Sequence, residues 1–296
     1  MPVSNVLPQD KNGLSKNEFD FTLFYDKYKT YLPENLLPSP SFLTWFIGFT
    51  EGEGSFIANN RGDLSFVVTQ STSDIRVLHF IKETLGFGKV ISQSVKTSRY
   101  VTQSKREIEI IITLFNGNTV LPTRQKVLEK FIAGFNVWVS KGTIRLEPIK
   151  NSPNFILPRL DNYWLAGFTD GEGCFTYSIT SRGYTFNYNI AAPSLKRGDA
   201  QKGKENLVIF ETFCELFNGG KVSPHFVKNV YEYRISGIKA CQNIFPYFDK
   251  YTLYSKKHLS YTLWKELHSA LVRKDHLDPD KRLVMMEKAR LINNSS

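Results

Sequence analysis

The sequence predicts an α+β fold made of two pseudo-symmetric repeats, each with the element order αββαββα. Nearly the same twelve residues, WFIGFTEGEGSF and WLAGFTDGEGCF, begin at Trp45 and Trp164. After each copy come two segments with alternating apolar residues, which indicate strands, and then an apolar pattern with the period of a helix. The 296 residues are 41% hydrophobic, which is enough to form a sizeable core.

The first repeat begins with a helix around FLTWFIGF, and we expect Ser41 or a neighbouring residue to cap it. The remaining elements are predicted in the order strand, strand, helix, strand, strand, helix and helix. Their segments are SFIANN, LSFVVTQ, DIRVLHFIKETLG, GFGKV, RYVTQ, REIEIIITLFN and RQKVLEKFIAGFNVWV.

The second repeat follows the same order from a helix around NYWLAGF, for which Asp161 is the expected cap. Its later segments are CFTYSIT, YTFNYNI, ENLVIFETFCELFN, NGGKV, YEYRISG, KACQNIFPYF and KKHLSYTLWKELHSAL. This repeat is longer than the first. We place its extra residues in APSLKRGDAQKGK, a polar and basic stretch whose Gly and Pro content is typical of a mobile loop.

The repeats set the expected domain boundaries. The linker contains three prolines and is expected to be partly extended. The aromatic-rich stretch NEFDFTLFYDKYKTYLP before the first repeat is expected to pack on the body, and Asp278 or Asp280 to cap a C-terminal helix. The predicted regions are an N-terminal extension (1–40), a first repeat (41–140), a linker (141–160), a second repeat (161–276) and a C-terminal helix and tail (277–296).

The composition restricts the classes of partner. Lys and Arg outnumber Asp and Glu by 38 to 28, a net charge of +10, which favours a polyanion such as DNA or RNA. A basic protein without such a partner is the alternative. No apolar run reaches the roughly 18 residues of a membrane-spanning helix, so we expect no membrane role. The spacing of the three cysteines and five histidines predicts neither a disulfide framework nor a zinc site.

Glycines recur four residues apart in both copies of the repeated segment, as Gly48 with Gly52 and as Gly167 with Gly171. Glycines at this spacing lie on one helix face and allow two backbones to approach closely. We therefore expect the two helices to pack on each other, with Gly48 and Gly167 at the helix interface.

Glu53 and Glu172 are expected at the ends of these two helices, where the chain turns into a strand. A carboxylate there is unfavourable next to the negative end of the helix dipole unless a cation compensates. Paired carboxylates suit a divalent cation, and Mg²⁺ usually takes only one or two of them together with waters and phosphates. The alternative is that the glutamates are solvated turn residues, but the recurrence of the acid in register argues against it.

The stretches FIGFTEGEG and LAGFTDGEG resemble the two signatures of a monomeric LAGLIDADG homing endonuclease of the group I intron-encoded type. The resemblance covers residues 41 to 271. It implies that the motif helices lie at the interface of two units and that their antiparallel β-sheets form a saddle over DNA. The implied metal ligands are the last acid of each motif, Glu53 and Glu172, together with the backbone carbonyls of Gly52 and Gly171.

The earlier acids of the two motifs, Glu51 and Asp170, are expected to serve structure. The resemblance also implies a metal-dependent double-strand break, made by hydrolysis of one phosphodiester per strand and leaving short 3′ overhangs. Mg²⁺ is the implied cofactor. Mn²⁺ is expected to substitute for it, and Ca²⁺ to bind without cleavage.

Basic groups near the phosphates are expected to stabilise the transition state. A lysine that opens the penultimate helix has this role in the family, and Lys257 matches it in the second repeat. In the first repeat Gln125 aligns with Lys257, and Lys126 lies one residue later. Gln70 resembles a family residue that orients active-site water. Its aligned counterpart Ile190 cannot do so, and we therefore expect the two sites to be inequivalent.

Strand alternation assigns an outward face to each hairpin. Asn, Arg and Thr on such a face suit a β-ribbon in the major groove, whereas an ordinary solvated sheet is the alternative. The predicted DNA-contacting residues are Ile57, Asn59, Arg61, Asp63, Ser65, Val67, Thr69, Thr176, Ser178, Thr180, Arg182, Thr185, Asn187, Asn189 and Arg234. Phosphate contacts are expected from Lys89, Lys96, Arg99, Lys196, Arg197, Lys202, Lys204, Lys221 and Lys228.

Two rival functions are weaker. An RNA maturase that assists splicing of group I introns would need no metal carboxylates, although both activities could reside in one protein. A catalytically inactive DNA-binding regulator would be expected to have lost an acid. The resemblance further implies a monomer that acts on double-stranded DNA in a mitochondrion or chloroplast. Synthesis inside the organelle would explain why the N-terminus does not have the acid-poor composition of a transit peptide.

Overall fold

The computed structural model describes residues 18–59, 61–141, 146–154, 156–180, 183–192, 206–227 and 230–294. The chain divides into two compact units, Met1–Leu157 and Pro158–Ser296. No helix in the described ranges is long and apolar enough to cross a membrane. The following predicted features lie outside the described residues: Arg182, Lys196, Arg197, Lys202, Lys204, Lys228 and nearly all of APSLKRGDAQKGK.

The first unit has the α+β architecture that the sequence predicts. Its four strands form one antiparallel sheet, in which the second strand lies between the first and the fourth and the third is at the other edge. The helices are α1 (Thr22–Tyr31), α2 (Pro40–Glu53), α3 (Ile75–Leu85), α4 (Lys105–Phe115) and α5 (Pro122–Ser140). The strands are β1 (Gly54–Ala58), β2 (Leu64–Ser71), β3 (Lys89–Ser92) and β4 (Thr97–Thr102).

Helix α2, the first motif helix, is buried along nearly its whole length because large apolar residues occur on all its sides. Its cap is Ser39, whose side chain accepts a hydrogen bond from the Phe42 N–H at 3.1 Å, and Pro40 follows as the first helical residue. The cap is thus a neighbour of Ser41. The core of this unit lies between the sheet and its helices, where Phe66 and Tyr100 have no exposed surface.

The described part of the N-terminal extension, from residue 18 onwards, packs on the rest of the first unit, as expected from its aromatic content. Phe24 and Tyr28 of α1 are fully buried. The Tyr28 hydroxyl donates a hydrogen bond to the Leu85 carbonyl at 3.0 Å, and the Tyr31 hydroxyl donates to the Glu109 carboxylate at 2.5 Å. Helix α1 is therefore part of the same core as α3 and α4.

The described part of the predicted linker contains no helix or strand, but side-chain amides hold it on the first unit. The Asn136 side chain donates to the Ile149 carbonyl and accepts from the Ile149 N–H, at 2.9 and 2.8 Å. Asn116 makes the same kind of pair, donating to the Lys150 carbonyl and accepting from the Ser152 N–H. The described part of the linker is therefore bound to α5 and to the residue that ends α4, and its partly extended conformation stays a prediction.

The second unit repeats the fold, and its four strands form one antiparallel sheet with the same strand order as the first. Its helices are α6 (Trp164–Glu172), α7 (Leu207–Leu216), α8 (Ile238–Cys241), α9 (Phe245–Lys250), α10 (Lys257–Val272) and α11 (Pro279–Asn294). Its strands are β5 (Gly173–Thr180), β6 (Gly183–Ala192), β7 (Lys221–Pro224) and β8 (Tyr231–Ser236).

One predicted cap in this unit was wrong and another is confirmed. The Trp164 N–H at the start of α6 donates to the Asn162 side chain at 3.0 Å, whereas Asp161 binds Arg159. A hydrogen bond from the Arg159 side chain lowers the pKa of Asp161 and holds its carboxylate away from the helix start. At α11 the Asp278 side chain accepts from the Lys281 N–H at 3.0 Å, as a cap does.

Candidate functional site

Both motif helices pass directly into a strand after a glutamate. Helix α2 ends at Glu53 and is followed by Gly54, and α6 ends at Glu172 and is followed by Gly173. A Cβ on Gly54 would lie 2.3 Å from the Thr50 Cγ2 and 2.7 Å from the Thr50 carbonyl oxygen, and Gly173 is equally crowded. Glycine therefore permits this direct junction, and the predicted position of both glutamates at helix ends is confirmed.

A cation binds the carbonyl groups at the end of α2. The Arg124 guanidinium donates to the carbonyl oxygens of Glu51 at 2.6 Å, Gly52 at 2.7 Å and Gly54 at 3.0 Å. These groups form the negative end of the helix dipole, where a cation is stabilising. Arg124 supplies the compensation that the sequence requires for a carboxylate at this position.

Lys257 does the same at the end of α6. Its ammonium group donates to the carbonyl oxygens of Gly171 at 2.7 Å and Thr169 at 3.2 Å. In the first unit the equivalent contact is made by Arg124, which precedes the aligned Gln125 by one residue. Lys126 is exposed on α5, and its catalytic role stays a prediction.

The earlier acid of each motif has the structural role expected of it. Glu51 is 1% exposed, and its carboxylate accepts from the N–H groups of Val120 and Leu121 at 2.8 and 2.9 Å. This ties the start of α5 to α2. The hydrogen bonds satisfy backbone donors that a helix start leaves without partners.

Asp170 makes the equivalent connection between α6 and the start of α10. It is also 1% exposed, and its carboxylate accepts from the N–H groups of Tyr254 at 2.8 Å and Ser255 at 3.1 Å. The Ser255 hydroxyl donates to it as well. Through this acid the helix that carries Lys257 is fixed against the helix that carries Glu172.

The structure places Gln70 beside Glu53 but corrects the identity of its counterpart. The Gln70 side-chain amide donates to the Glu53 carboxylate at 3.4 Å. Val68 pairs with Gly54, and Ile190 pairs with Gly173, so Ile190 corresponds to Val68.

The residue that corresponds to Gln70 is Ala192, and the difference arises because the second hairpin is longer than the first. Alanine cannot orient water by hydrogen bonding either, so this part of the expected inequivalence rests on Ala192 and not on Ile190.

The donor set at each helix end fits a hard divalent cation. No cluster of three or more His, Cys, Asp or Glu residues that could hold a metal occurs in the described ranges. Glu53 and Glu172 each offer carboxylate oxygens next to a glycine carbonyl, and Mg²⁺ and Ca²⁺ prefer oxygen ligands alone. The carbonyls of Gly52 and Gly171 already accept hydrogen bonds from cations, but a carbonyl oxygen has a second lone pair.

The outward face of the first sheet carries most of its predicted residues at the surface. Cα register aligns Ser55, Val67, Val101 and Lys89 across the four strands. Val67 is only 5% exposed, because its neighbours in the middle of the sheet cover it, and its predicted DNA contact is therefore corrected. The accessible or half-buried predicted residues are Ile57, Asn59, Arg61, Asp63, Ser65, Thr69 and Lys89.

Two of these residues also hold the hairpin turn. The Asn59 side chain accepts from the N–H groups of Arg61 and Asp63, both at 2.9 Å, and donates to the Asp63 carboxylate at 2.9 Å. Asn59 and Asp63 thus have a structural function whether or not they contact a ligand.

The outward face of the second sheet is more polar. Cα register aligns Cys174, Asn189, Arg234 and Lys221 across its four strands. Asn189 Oδ1 and Arg234 Nε are buried atoms that have no hydrogen-bond partner within the described ranges. Such atoms normally find partners. The other predicted residues here are Thr176, Ser178, Thr180, Thr185 and Asn187, each exposed or half-buried.

Sequence reasoning missed two residues of these sites. Cys174 alternates with the predicted Thr176 and could have been found by extending that alternation one step back. Arg124 could not be found in the same way, because the alignment of the two repeats puts Gln125 opposite Lys257. Only the hydrogen bonds from the Arg124 side chain to the end of α2 identify Arg124 as a residue of the site.

Several known proteins are similar to this chain in sequence or in fold. A family model described as LAGLIDADG endonuclease matches residues 46–134 and 165–268. The chain is 36% identical over 264 residues to the probable intron-encoded endonuclease 4 of Neurospora crassa, and the match covers 88% of this chain and 46% of that protein. The chain thus spans about half the length of that relative.

Two solved structures of the meganuclease I-SmaMI have the same fold. One, bound to uncleaveable DNA, gives a TM-score of 0.66 at 20% identity and covers 83% of this chain and 97% of that one. The other, bound to an uncleaved DNA target in the presence of calcium ions, gives a TM-score of 0.65 at 18% identity over 85% of this chain and 98% of that one.

Proposed function

This chain belongs to the LAGLIDADG endonuclease family, and on that premise we propose that it is a site-specific endonuclease that cuts both strands of a long DNA duplex. The observation that carries the proposal is the helix end found in both units. In each unit a glutamate terminates a buried motif helix, and a cationic side chain from a later helix binds the carbonyls beside it. A helix end that served only as a turn would not require this arrangement twice.

The proposed reaction is hydrolysis of one phosphodiester per strand. Glu53 and Glu172, with the carbonyls of Gly52 and Gly171, are the proposed ligands of Mg²⁺. When bound, a divalent cation polarises the scissile phosphate and lowers the pKa of the attacking water. A related protein was solved with an uncleaved DNA target in the presence of calcium ions, which supports the use of a divalent cation.

The residues of the chain itself complete the proposed site. Lys257 lies where its positive charge would stabilise the charge that develops on the phosphate. In the first unit Arg124 and Lys126 are the cationic groups that we assign to this role. Gln70, whose amide binds the Glu53 carboxylate, is the residue proposed to orient a water there. Ala192 occupies the position in the second unit that Gln70 has in the first. The two DNA strands are therefore expected to be cut at different rates.

Double-stranded DNA is the proposed partner, and the sheet faces are the proposed contact surface. Asn, Arg and Thr side chains on these faces can read base edges in the major groove. The Arg234 side chain, 40% exposed on the outward face of the second sheet, supports this role. The two structures of I-SmaMI described above are bound to DNA, which favours DNA over the intron RNA of the maturase alternative.

The relative named above is intron-encoded by its name. We therefore propose that this protein acts in the homing of a mobile intron, as a monomer, in a mitochondrion. The two repeats within one chain supply both glutamates, so a second subunit is not needed for a double-strand break.

The test is cleavage of a library of long randomised duplexes with Mg²⁺, followed by sequencing of the ends. We expect recurrent paired breaks a few bases apart for the unchanged protein, and none for Glu53→Gln or Glu172→Gln. These variants keep the side-chain shape and remove the negative charge. Glu129→Gln, an exposed carboxylate on α5, is the matched control and should cut normally.

Loss of breaks in the control variant, or their persistence in Glu53→Gln, would contradict the proposed role of the glutamates. A protein that yields no enriched breaks but binds structured intron RNA in a salt-sensitive manner would instead support the maturase alternative.

A further inference from the structure

The hairpin β5–β6 continues beyond the point at which the equivalent hairpin β1–β2 turns. The first ladder ends at the pair Ala58 and Leu64. Counted from the pairs that follow the motif helices, the corresponding pair in the second unit is Tyr177 and Phe186. Three further pairs follow it, namely Ser178 with Thr185, Ile179 with Tyr184, and Thr180 with Gly183. These six residues are called the hairpin extension below.

Helix α10 supports the hairpin up to the start of this extension. The Trp264 ring stacks on Phe186 with their centroids 4.1 Å apart, and its indole N–H donates to the Thr176 carbonyl at 3.1 Å. These residues lie in the part of the hairpin that both units share. The extension needs another support, because an isolated two-stranded ribbon is marginally stable in water.

Helix α11 and the turn before it supply that support. The Arg282 guanidinium donates to the Thr180 carbonyl, in the last pair of the extension. The Tyr184 ring meets the His276 ring edge to face at 5.2 Å. The helix is itself anchored, because Met285, Ala289 and Ile292 on its inner face are 3%, 7% and 0% exposed.

The hairpin extension also has hydrogen bonds of its own, between the Ser178 and Thr185 hydroxyls at 2.7 Å and from the Thr180 hydroxyl to the Gly183 carbonyl at 3.2 Å. The first hairpin is shorter. Its turn is closed by its own side chains, through the hydrogen bonds between Asn59, Arg61 and Asp63. Helix α5 comes close to its end, since a Cβ on Gly134 would lie 3.3 Å from Leu64. The contact with α5 therefore reaches the last pair of this ladder.

We propose that α11 is a brace that holds the hairpin extension in a fixed orientation, so that Ser178, Thr180 and Thr185 read base pairs at the outer end of one half-site. Arg282 is then a positioning residue for specificity. It touches no base itself but fixes the strand that carries Thr180. The base-reading part of this inference rests on the proposed function, whereas the brace does not.

The brace is tested by hydrogen exchange in the full-length protein without DNA. Arg282→Ala should speed the exchange of amides in 178–180 and 183–185 by about fivefold, the effect of losing one hydrogen bond. Exchange in 173–177 should not change. Arg282→Lys retains a donor and should recover part of the protection. Arg290→Ala, at an exposed position on the same helix, is the matched control.

Specificity is tested with the best target duplex and its single-base variants. Arg282→Ala should lower discrimination several-fold at the outer base pairs of the half-site that the second repeat contacts. Discrimination in the other half-site and cleavage of the best target should stay as in the unchanged protein. A melting temperature equal to that of Arg290→Ala would show that the effect is local.

Exchange rates that do not change in Arg282→Ala would overturn the brace. Faster exchange with equal loss of discrimination in both half-sites would overturn the role in specificity. A protein that cuts no duplex at all would contradict the proposed function, but the exchange result would still decide whether α11 braces the hairpin.

Discussion

At the scale of single residues, the two acids of the first repeated segment differ in burial and in hydrogen-bond partners. Glu51 is buried and bound by backbone N–H groups, while Glu53, two residues later, is half-buried beside Gln70. The helical period separates them, because residues two apart do not share a helix face. The first acid therefore builds the scaffold, and the second is available for a ligand.

Replacing Glu51 should destabilise the protein. Glu51→Ala leaves the N–H groups of Val120 and Leu121 buried without an acceptor, which costs about 2–4 kcal/mol of the free energy of unfolding. Glu51→Gln keeps an acceptor oxygen and should cost less. Urea denaturation measures both variants. The control Glu129→Ala should stay within about 0.5 kcal/mol of the unchanged protein, and an equally small effect of Glu51→Ala would refute this role.

The cysteines give a second prediction at this scale. Burial raises the pKa of the Cys241 thiol to about 12, so its reactive thiolate forms only as the pH approaches that value. At pH 8, iodoacetamide should therefore leave Cys241 unmodified and react with the half-buried Cys174. Because Cys174 lies on the outward sheet face, target DNA should protect it.

Mass spectrometry of alkylated peptides, with and without the target duplex, measures this difference. Cys174→Ser provides the control for peptide assignment. Alkylation of Cys174 at the same rate in both conditions would show that DNA does not cover this part of the sheet.

At the scale of secondary-structure elements, each motif helix depends on a helix far along the chain. Helix α5 contributes Arg124 to the end of α2, and α10 contributes Lys257 to the end of α6. In both units the buried acid fixes the distance between the two helices. The pair of helices, rather than either one alone, forms the candidate site.

Removing the cation from α10 should affect one strand of the DNA more than the other. Lys257→Met removes the charge that we propose lies next to one scissile phosphate, and it should slow cleavage of that strand by about 10²-fold. Nicked circles should then accumulate from a supercoiled plasmid that carries the target. Lys239→Met, at an exposed position on α8, is the control and should give linear product at the normal rate. Equal slowing of both strands would contradict the assignment of Lys257 to one site.

At the scale of the whole molecule, the net charge of +10 would add to the DNA contacts proposed for the sheets. Long-range attraction to phosphates does not depend on base sequence, and it positions the duplex before bases are read. The two units each present an outward sheet face with lysine on its edge strand, Lys89 on β3 and Lys221 on β7. DNA binding should therefore have a large electrostatic component.

The affinity for the target should fall linearly on a log–log plot against salt concentration. Lys221→Ala should reduce the magnitude of this slope by about 1, because one phosphate contact is lost. Lys82→Ala, at an exposed position on α3, should leave the slope unchanged. Fluorescence anisotropy at several salt concentrations measures the slopes. An equal change in both variants would show that the charge of Lys221 acts only at long range.

The sequence by itself determined the fold class, the duplication and the position of Glu53 and Glu172, since these follow from local periodicity and from glycines at a helix end. Only the tertiary structure identified Arg124 at the end of α2, Ala192 as the equivalent of Gln70, the burial of Val67 and the contact of Arg282 with Thr180. These four depend on strand register and on side chains that meet across long stretches of chain. A one-residue shift between repeats is invisible in composition, but it decides which side chain reaches the site.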